Sequence, residues 1–121
     1  MPGAHRPPCP PDLDLASRPL LGMDEAEALE RLFGILASGT RLRLLHALWI
    51  LGDPCMGDLA GSVDMKPAAV SNQLRRLVDL GILATRRHGN HVHYRIVDDS
   101  VLRLLEQGLC LERARQRAEA P

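Results

Sequence analysis

Apolar residues recur every three or four positions along most of the chain, which is the spacing of helices with one buried face. Such stripes begin at Met23, run over residues 40–50 and return in a short segment over residues 55–62. Turn-forming residues separate them, at Ser38-Gly39-Thr40 and at Gly52-Asp53-Pro54. The pattern therefore predicts three successive helices, with the first break able to cap the second helix.

Residues 66–81, KPAAVSNQLRRLVDLG, predict a fourth helix whose two faces differ in chemistry. Pro67 suits a first helical turn and Gly81 suits a left-handed cap. The apolar stripe lies opposite a donor-rich face, formed by Ser71, Asn72, Gln73, Arg75 and Arg76. Amide and guanidinium groups hydrogen-bond base edges and phosphates, so this face fits a DNA major groove; an ordinary solvated face is the alternative.

The third and fourth helices are separated only by a tight turn, which is the helix-turn-helix arrangement. Residues 82–87 and 91–97 then form two strand-like runs, joined by the turn signal His88-Gly89-Asn90. The second run alternates Val92, Tyr94 and Ile96 with His91, His93 and Arg95, which predicts one apolar and one basic face. A hairpin in this place predicts a wing that brings basic side chains to DNA phosphates or the minor groove: Arg86, Arg87, His88 and His91. A solvated hairpin without DNA contacts is the alternative.

A final helix is predicted from residues 98–100 onward, and it is rich in leucine. Because a terminal helix of this kind needs a surface to cover it, we expect it to form a dimer interface with the first helix. A homodimer would present two recognition helices to a two-fold-symmetric operator. Residues 23–117 are thus predicted to form one domain, preceded by a flexible arm over residues 1–22 that contains six of the nine prolines.

Charge is distributed unevenly, although the formal net charge is zero. Residues 66–95 carry six basic side chains and one acidic side chain. A local basic surface on a neutral protein is suited to electrostatic docking on DNA. The chain shows no glycine-rich phosphate loop, no nucleophile and base pair and no paired carboxylates, so we expect it not to be an enzyme.

Location and redox chemistry follow from two further features. No apolar run is long enough for a membrane span, and the N-terminus is proline-rich where a signal peptide would be basic and then apolar, so we expect a cytoplasmic protein. Three cysteines, an odd number, argue against a disulfide framework and leave metal binding or redox sensing open.

Four motifs in order carry a resemblance to a known family. They are LASGTRLRLL at residues 36–45, CMGDLA at 55–60, AVSNQLRRL at 69–77, and the wing with Gly89 and Tyr94. Together they resemble the ArsR/SmtB family of metal-responsive repressors over about residues 25–107. The resemblance implies a mainly α fold with a β-hairpin wing, a homodimeric winged helix-turn-helix of order α-α-α-α-β-β-α. It also implies a repressor that binds operator DNA when metal-free and leaves DNA when an inducer binds.

The resemblance also implies where an inducer would bind. One site of the family lies at the start of the third helix, where Cys-x-x-Asp meets Cys or His residues of the arm; here these are Cys55 and Asp58, with Cys9 and His5. Thiolate, imidazole and carboxylate donors suit zinc, and thiolates suit softer ions, so zinc, cadmium, lead, mercury and arsenite all remain candidates.

A second site of the family, on the last helix, is absent from this sequence. Asp98 is present, but Ser100 stands where the first histidine belongs, and Leu111 and Ala114 replace the second ligand pair.

Other chemistry stays open at this stage. Cys110 is expected in the core between two leucines, although it could supply a further thiolate or form a redox pair with Cys55 or Cys9. His46 is expected in the core, and His91 and His93 are expected near phosphate more than on a metal. The alternatives to a metal sensor are a thiol-switch repressor of the same fold and a helical interaction module that does not bind DNA.

Overall fold

The computed structural model describes residues 14–119, which form five helices and one antiparallel hairpin. The elements are α1 Met23–Leu36, α2 Gly39–Leu51, α3 Met56–Ser62, α4 Pro67–Asp79, β1 Leu83–His88, β2 His91–Ile96 and α5 Ser100–Glu119. The predicted order and the hairpin are confirmed. His88 differs from the expectation, since it belongs to β1 and not to the turn.

Local capping chemistry sets the helix boundaries. The Ser38 hydroxyl accepts a hydrogen bond from the backbone N–H of Arg41 at 3.3 Å and caps α2. At the end of α4, Gly81 has a φ of 76°, its N–H donates to the Val78 carbonyl, and the N–H of Ile82 donates to the Leu77 carbonyl. This pair of bonds is a Schellman motif, which ends α4 and turns the chain directly into β1.

A tight turn joins α3 to α4. Asp64 has a φ of 55°, a left-handed conformation that aspartate tolerates better than most residues. The backbone N–H of Met65 donates to the Ala60 carbonyl at 3.0 Å and closes the turn onto α3. The two helices are thereby linked without a flexible connection.

One apolar cluster forms the core, and α2 and α4 each supply three of its buried side chains. The side chains with the least exposure, 2% or less, come from five elements: Leu44, Leu45, Leu48, Leu59, Val70, Leu74, Leu77, Leu83 and Ile96. No polar or charged side chain of residues 14–119 is buried. The apolar stripe of α4 thus lies in the core, and its polar side is left for solvent or a ligand.

The hairpin pairs Leu83 with Ile96 and His88 with His91, so a two-residue turn joins its strands. Because alternate residues of a strand point to opposite faces, the register places Arg86, His88, His91, His93 and Arg95 on one face. Arg87 lies on the other face, with Val92 and Tyr94. The predicted basic face is confirmed for β2, but Arg86 and Arg87, which are adjacent in β1, lie on opposite faces of the hairpin.

The end of the predicted arm is attached to the domain. The Arg18 guanidinium forms an ion pair with Glu25 at 2.7 Å, and the Gly22 N–H donates to the same carboxylate. The Arg18 hydrogen bond, followed by the Gly22 one, lowers the pKa of Glu25 below its ordinary value. Within the described residues, no helix has the length and apolar content required to cross a membrane.

Candidate nucleic-acid interface and metal site

The outer face of α4 presents hydrogen-bond donors to solvent. Asn72, Arg75 and Arg76 are exposed, while Ser71 and Gln73 are half-buried at the edges of this face. Within residues 14–119, neither Arg75 nor Arg76 takes part in an ion pair. Both guanidinium groups are therefore available to phosphates or base edges, with the helix held in place by its buried stripe.

The four basic residues predicted for the wing are all exposed, but they do not form one surface. Arg86, His88 and His91 share a face, and Arg87 lies on the opposite one. Arg86 is also engaged, since its guanidinium forms an ion pair with the Asp53 carboxylate. In the hairpin, Arg87 forms no ion pair with any described residue, whereas the charge of Arg86 is already neutralised by Asp53.

A connection between the wing and the α2–α3 loop was not predicted from the sequence. Besides the Asp53 carboxylate, the Asp53 carbonyl lies 2.9 Å from Nδ1 of His93, and the Tyr94 N–H donates to the Pro54 carbonyl at 3.3 Å. Cys55 pairs with His93 in an antiparallel β-bridge. The loop therefore lies along β2 as a very short additional strand. From the sequence, Asp53 is predicted only as a residue that ends α2, and no pattern indicates these distant partners.

Of the four predicted metal ligands, two lie in the part of the chain that the structure describes. Cys55 is the half-buried N-cap residue of α3, and its thiol makes no capping hydrogen bond; Asp58 is exposed in the first turn of that helix. Cys9 and His5 lie outside the described residues. Across residues 14–119, no three His, Cys, Asp or Glu side chains are grouped so that they could hold a metal ion. Cys55 and Asp58 would thus need donors from elsewhere.

Two expectations about buried residues are wrong. Cys110 is exposed, as are its neighbours Leu109 and Leu111, because α5 extends beyond the core and buries only Val101. His46 is exposed as well, and it lines an open cleft between α2 and α5 together with Trp49 and Arg103. Both residues therefore retain accessible side-chain chemistry.

Comparison with known proteins assigns the helix-turn-helix segment to a family. Residues 38–85 match the model of the bacterial regulatory proteins of the arsR family. The chain is 31% identical over 83 residues to a cadmium resistance transcriptional regulatory protein, a CadC homolog of Staphylococcus aureus, covering 69% of this chain and 69% of that protein. It spans about two thirds of the length of the first curated relatives that it matches.

Solved structures agree with this assignment. The crystal structure of the AntR antimony-specific transcriptional repressor superimposes with a TM-score of 0.75 at 55% sequence identity, covering 89% of this chain and 98% of that one. A solution structure of a homodimeric winged helix-turn-helix domain from Mycobacterium bovis gives a TM-score of 0.64 at 27% identity, covering 77% and 88% of the two chains.

The matched segment, residues 38–85, contains α2, α3, α4 and the start of the wing, which are the elements that place the donor face of α4 at the surface. The AntR likeness extends over nearly the whole fold. The chain therefore belongs to the ArsR family of bacterial regulatory proteins, as a winged helix-turn-helix transcriptional regulator and not an enzyme.

Proposed function

We propose that this protein is a metal-responsive repressor, which binds operator DNA as a metal-free homodimer and is released by a thiophilic metal ion. The observation that carries the proposal is the exposed donor face of α4, which follows α3 after a tight turn, with Cys55 as the N-cap residue of α3. The face supplies DNA contacts through Ser71, Asn72, Gln73, Arg75 and Arg76. A metal at Cys55 acts on the helix immediately before it.

The apolar surface on α1 and α5 supports the homodimer. Phe33 is 49% exposed, Leu104 is 41% exposed and Leu109 is 55% exposed, and all three line one apolar groove. A second copy of the chain covers this surface in the proposed dimer, since large contiguous apolar patches on a monomer usually mark an interface. Two copies of α4 then face a two-fold operator.

The donor chemistry supports a metal as the inducer. Cys55 and Asp58 supply a thiolate and a carboxylate, and the sequence adds Cys9 and His5 as the remaining donors. Relatives named for cadmium and antimony make a thiophilic ion the best-supported class. The ion itself stays open among zinc, cadmium, lead, mercury, arsenite and antimonite.

The route from metal to DNA runs through the α3–α4 turn. Because the Met65 N–H is bonded to the Ala60 carbonyl, a displacement of α3 moves the start of α4 with it. The ion shifts the equilibrium by its different affinity for the two arrangements of the dimer. A coupling free energy of about 1–3 kcal/mol is usual for such linkage.

Cys55→Ser is expected to bind operator DNA like the wild type when metal-free but to lose release by metal, because the thiolate donor is gone. Fluorescence anisotropy with promoter DNA, titrated with each candidate ion, measures this. Cys110→Ser is the matched control and should respond normally. Release of Cys55→Ser at the wild-type metal concentration would refute the site, and release by an oxidant alone would support the thiol-switch alternative, in which Cys55 pairs with another cysteine.

Asp53→Asn is expected to tighten operator binding a few-fold and to steepen its salt dependence by about one unit of slope, because Arg86 is freed for a phosphate. Arg87→Ala should change the slope by a similar amount in the opposite direction. Anisotropy titrations at several salt concentrations measure both slopes. Unchanged binding by Asp53→Asn would show that its ion pair does not withhold Arg86 from DNA.

A further inference from the structure

We propose that His93 of the wing binds the same metal ion as Cys55, so that the inducer site joins β2 to the start of α3. This inference rests on the proposed function, since it adds a ligand to the same site. It differs from the predicted ligand set, in which the donors besides Cys55 are Asp58 and residues of the arm.

Cys55 and His93 lie directly opposite each other in the antiparallel β-bridge. Residues paired in this way point to the same face, with Cβ atoms about 4.5–5.5 Å apart. A zinc ion binds a thiolate at about 2.3 Å and an imidazole nitrogen at about 2.0–2.1 Å. The two side chains can therefore reach one ion without moving the backbone.

The hydrogen bond between Nδ1 of His93 and the Asp53 carbonyl leaves Nε2 of the ring free to bind a metal. Nδ1 of His93 lies 2.9 Å from the Asp53 carbonyl oxygen. A carbonyl only accepts, so Nδ1 carries the proton and the lone pair lies on Nε2 in the neutral ring. Histidines that bind metals commonly donate their other ring N–H to a carbonyl or carboxylate, which fixes the tautomer and the ring orientation.

Neighbouring side chains fix the α2–α3 loop and the His93 ring in these positions. The same Asp53 is fixed through its carboxylate to Arg86, which faces His93 across the hairpin. Its second carboxylate oxygen, Oδ1, is buried without a hydrogen-bond partner among the described residues. The His88 ring meets the His93 ring edge-on, with centroids 6.2 Å apart.

The pair supplies two of the four positions of a tetrahedral site. Among the described residues no third donor is grouped with them, so the remaining positions are open to water. A nitrogen donor beside a thiolate suits a zinc-like ion. Because His93 is part of β2, occupation of the site changes the position of the wing as well as that of α3.

Anaerobic titration of the full-length protein with Co²⁺ tests the pair, because cobalt reports both thiolate ligation and coordination geometry by absorption. The wild type should show a thiolate-to-cobalt charge-transfer band and tetrahedral ligand-field bands. His93→Ala and His93→Gln should keep the charge-transfer band, lose at least about tenfold in affinity for Co²⁺ and change the ligand-field bands. His46→Ala, on α2, is the matched control and should behave like the wild type.

His93→Gln separates ligation from structure, because its amide can still donate to the Asp53 carbonyl. Circular dichroism melting shows whether each variant is folded, and His93→Gln decides the result if His93→Ala unfolds. Wild-type affinity and spectra in His93→Gln, with the charge-transfer band weakened or lost in Cys55→Ser, would overturn the role of His93 and leave the proposed function standing. A charge-transfer band of undiminished intensity in Cys55→Ser would overturn both.

Discussion

Arg75→Ala is expected to weaken operator binding by about 1–3 kcal/mol, or roughly 5- to 150-fold, at fixed salt concentration. Arg75 is exposed on α4, and no described residue neutralises it by an ion pair. Its guanidinium is thus free to form a bidentate contact with guanine or with phosphate. The two contacts differ in their signature: loss of a base contact relaxes sequence preference, and loss of a phosphate contact lowers the salt slope by about one.

Fluorescence anisotropy with the operator and with a scrambled duplex measures the effect. Arg117→Ala, in the last turn of α5, removes the same charge far along the chain from α4 and is the matched control. If both variants bind the operator equally well, α4 is not the recognition helix. If both weaken binding equally, net charge and not a specific contact carries the affinity.

Leu74→Ala is expected to lower the free energy of unfolding by about 2–5 kcal/mol, the usual range for truncating a buried leucine. Leu74 has 0% exposure and projects from α4 into the core that contains Leu44 and Leu48. Because a domain of this kind has a total stability of only about 5–15 kcal/mol, the loss is a large fraction of it. Operator binding should weaken as well, since the same residue anchors α4, the proposed recognition helix.

Urea unfolding followed by circular dichroism measures the change, with the protein concentration held constant because the proposed dimerisation would contribute to stability. Leu20→Ala is the control for the same substitution at a surface position, since Leu20 is 94% exposed, and it should change stability by less than about 0.5 kcal/mol. A loss below 1 kcal/mol for Leu74→Ala would contradict the core assignment of α4.

Elements with both a periodic stripe and a terminal signal were predictable. For α4, Pro67 marks the start and Gly81 the stop, and its stripe at Val70, Leu74 and Leu77 is buried as the spacing requires. The alternation in β2 predicted its two faces, because a strand has a period of two. Caps and periodic stripes depend on residues that lie close together in the chain, so they can be recognised from the local sequence.

Features that depend on distant contacts were not predictable in the same way. Asp53 and Arg86 are separated by 33 positions, and no local pattern relates them. The predictions that Cys110 and His46 are buried were wrong for a related reason. An apolar stripe indicates that a helix has a buried face, but it does not show how far along the helix the covering surface extends, and α5 extends well past its single buried residue.

The Schellman turn at Gly81 fixes the distance and the orientation of the wing relative to α4. No residue beyond the Schellman motif separates the turn from β1, so in the proposed complex the distance between the groove contact of α4 and the backbone contact of the wing is set by the chain itself. Inserting one residue after Gly81 would shift the strand by one position and exchange the faces of Arg86 and Arg87. The proposed homodimer would thus accommodate operators of altered length by the spacing between its two subunits, and not within one of them.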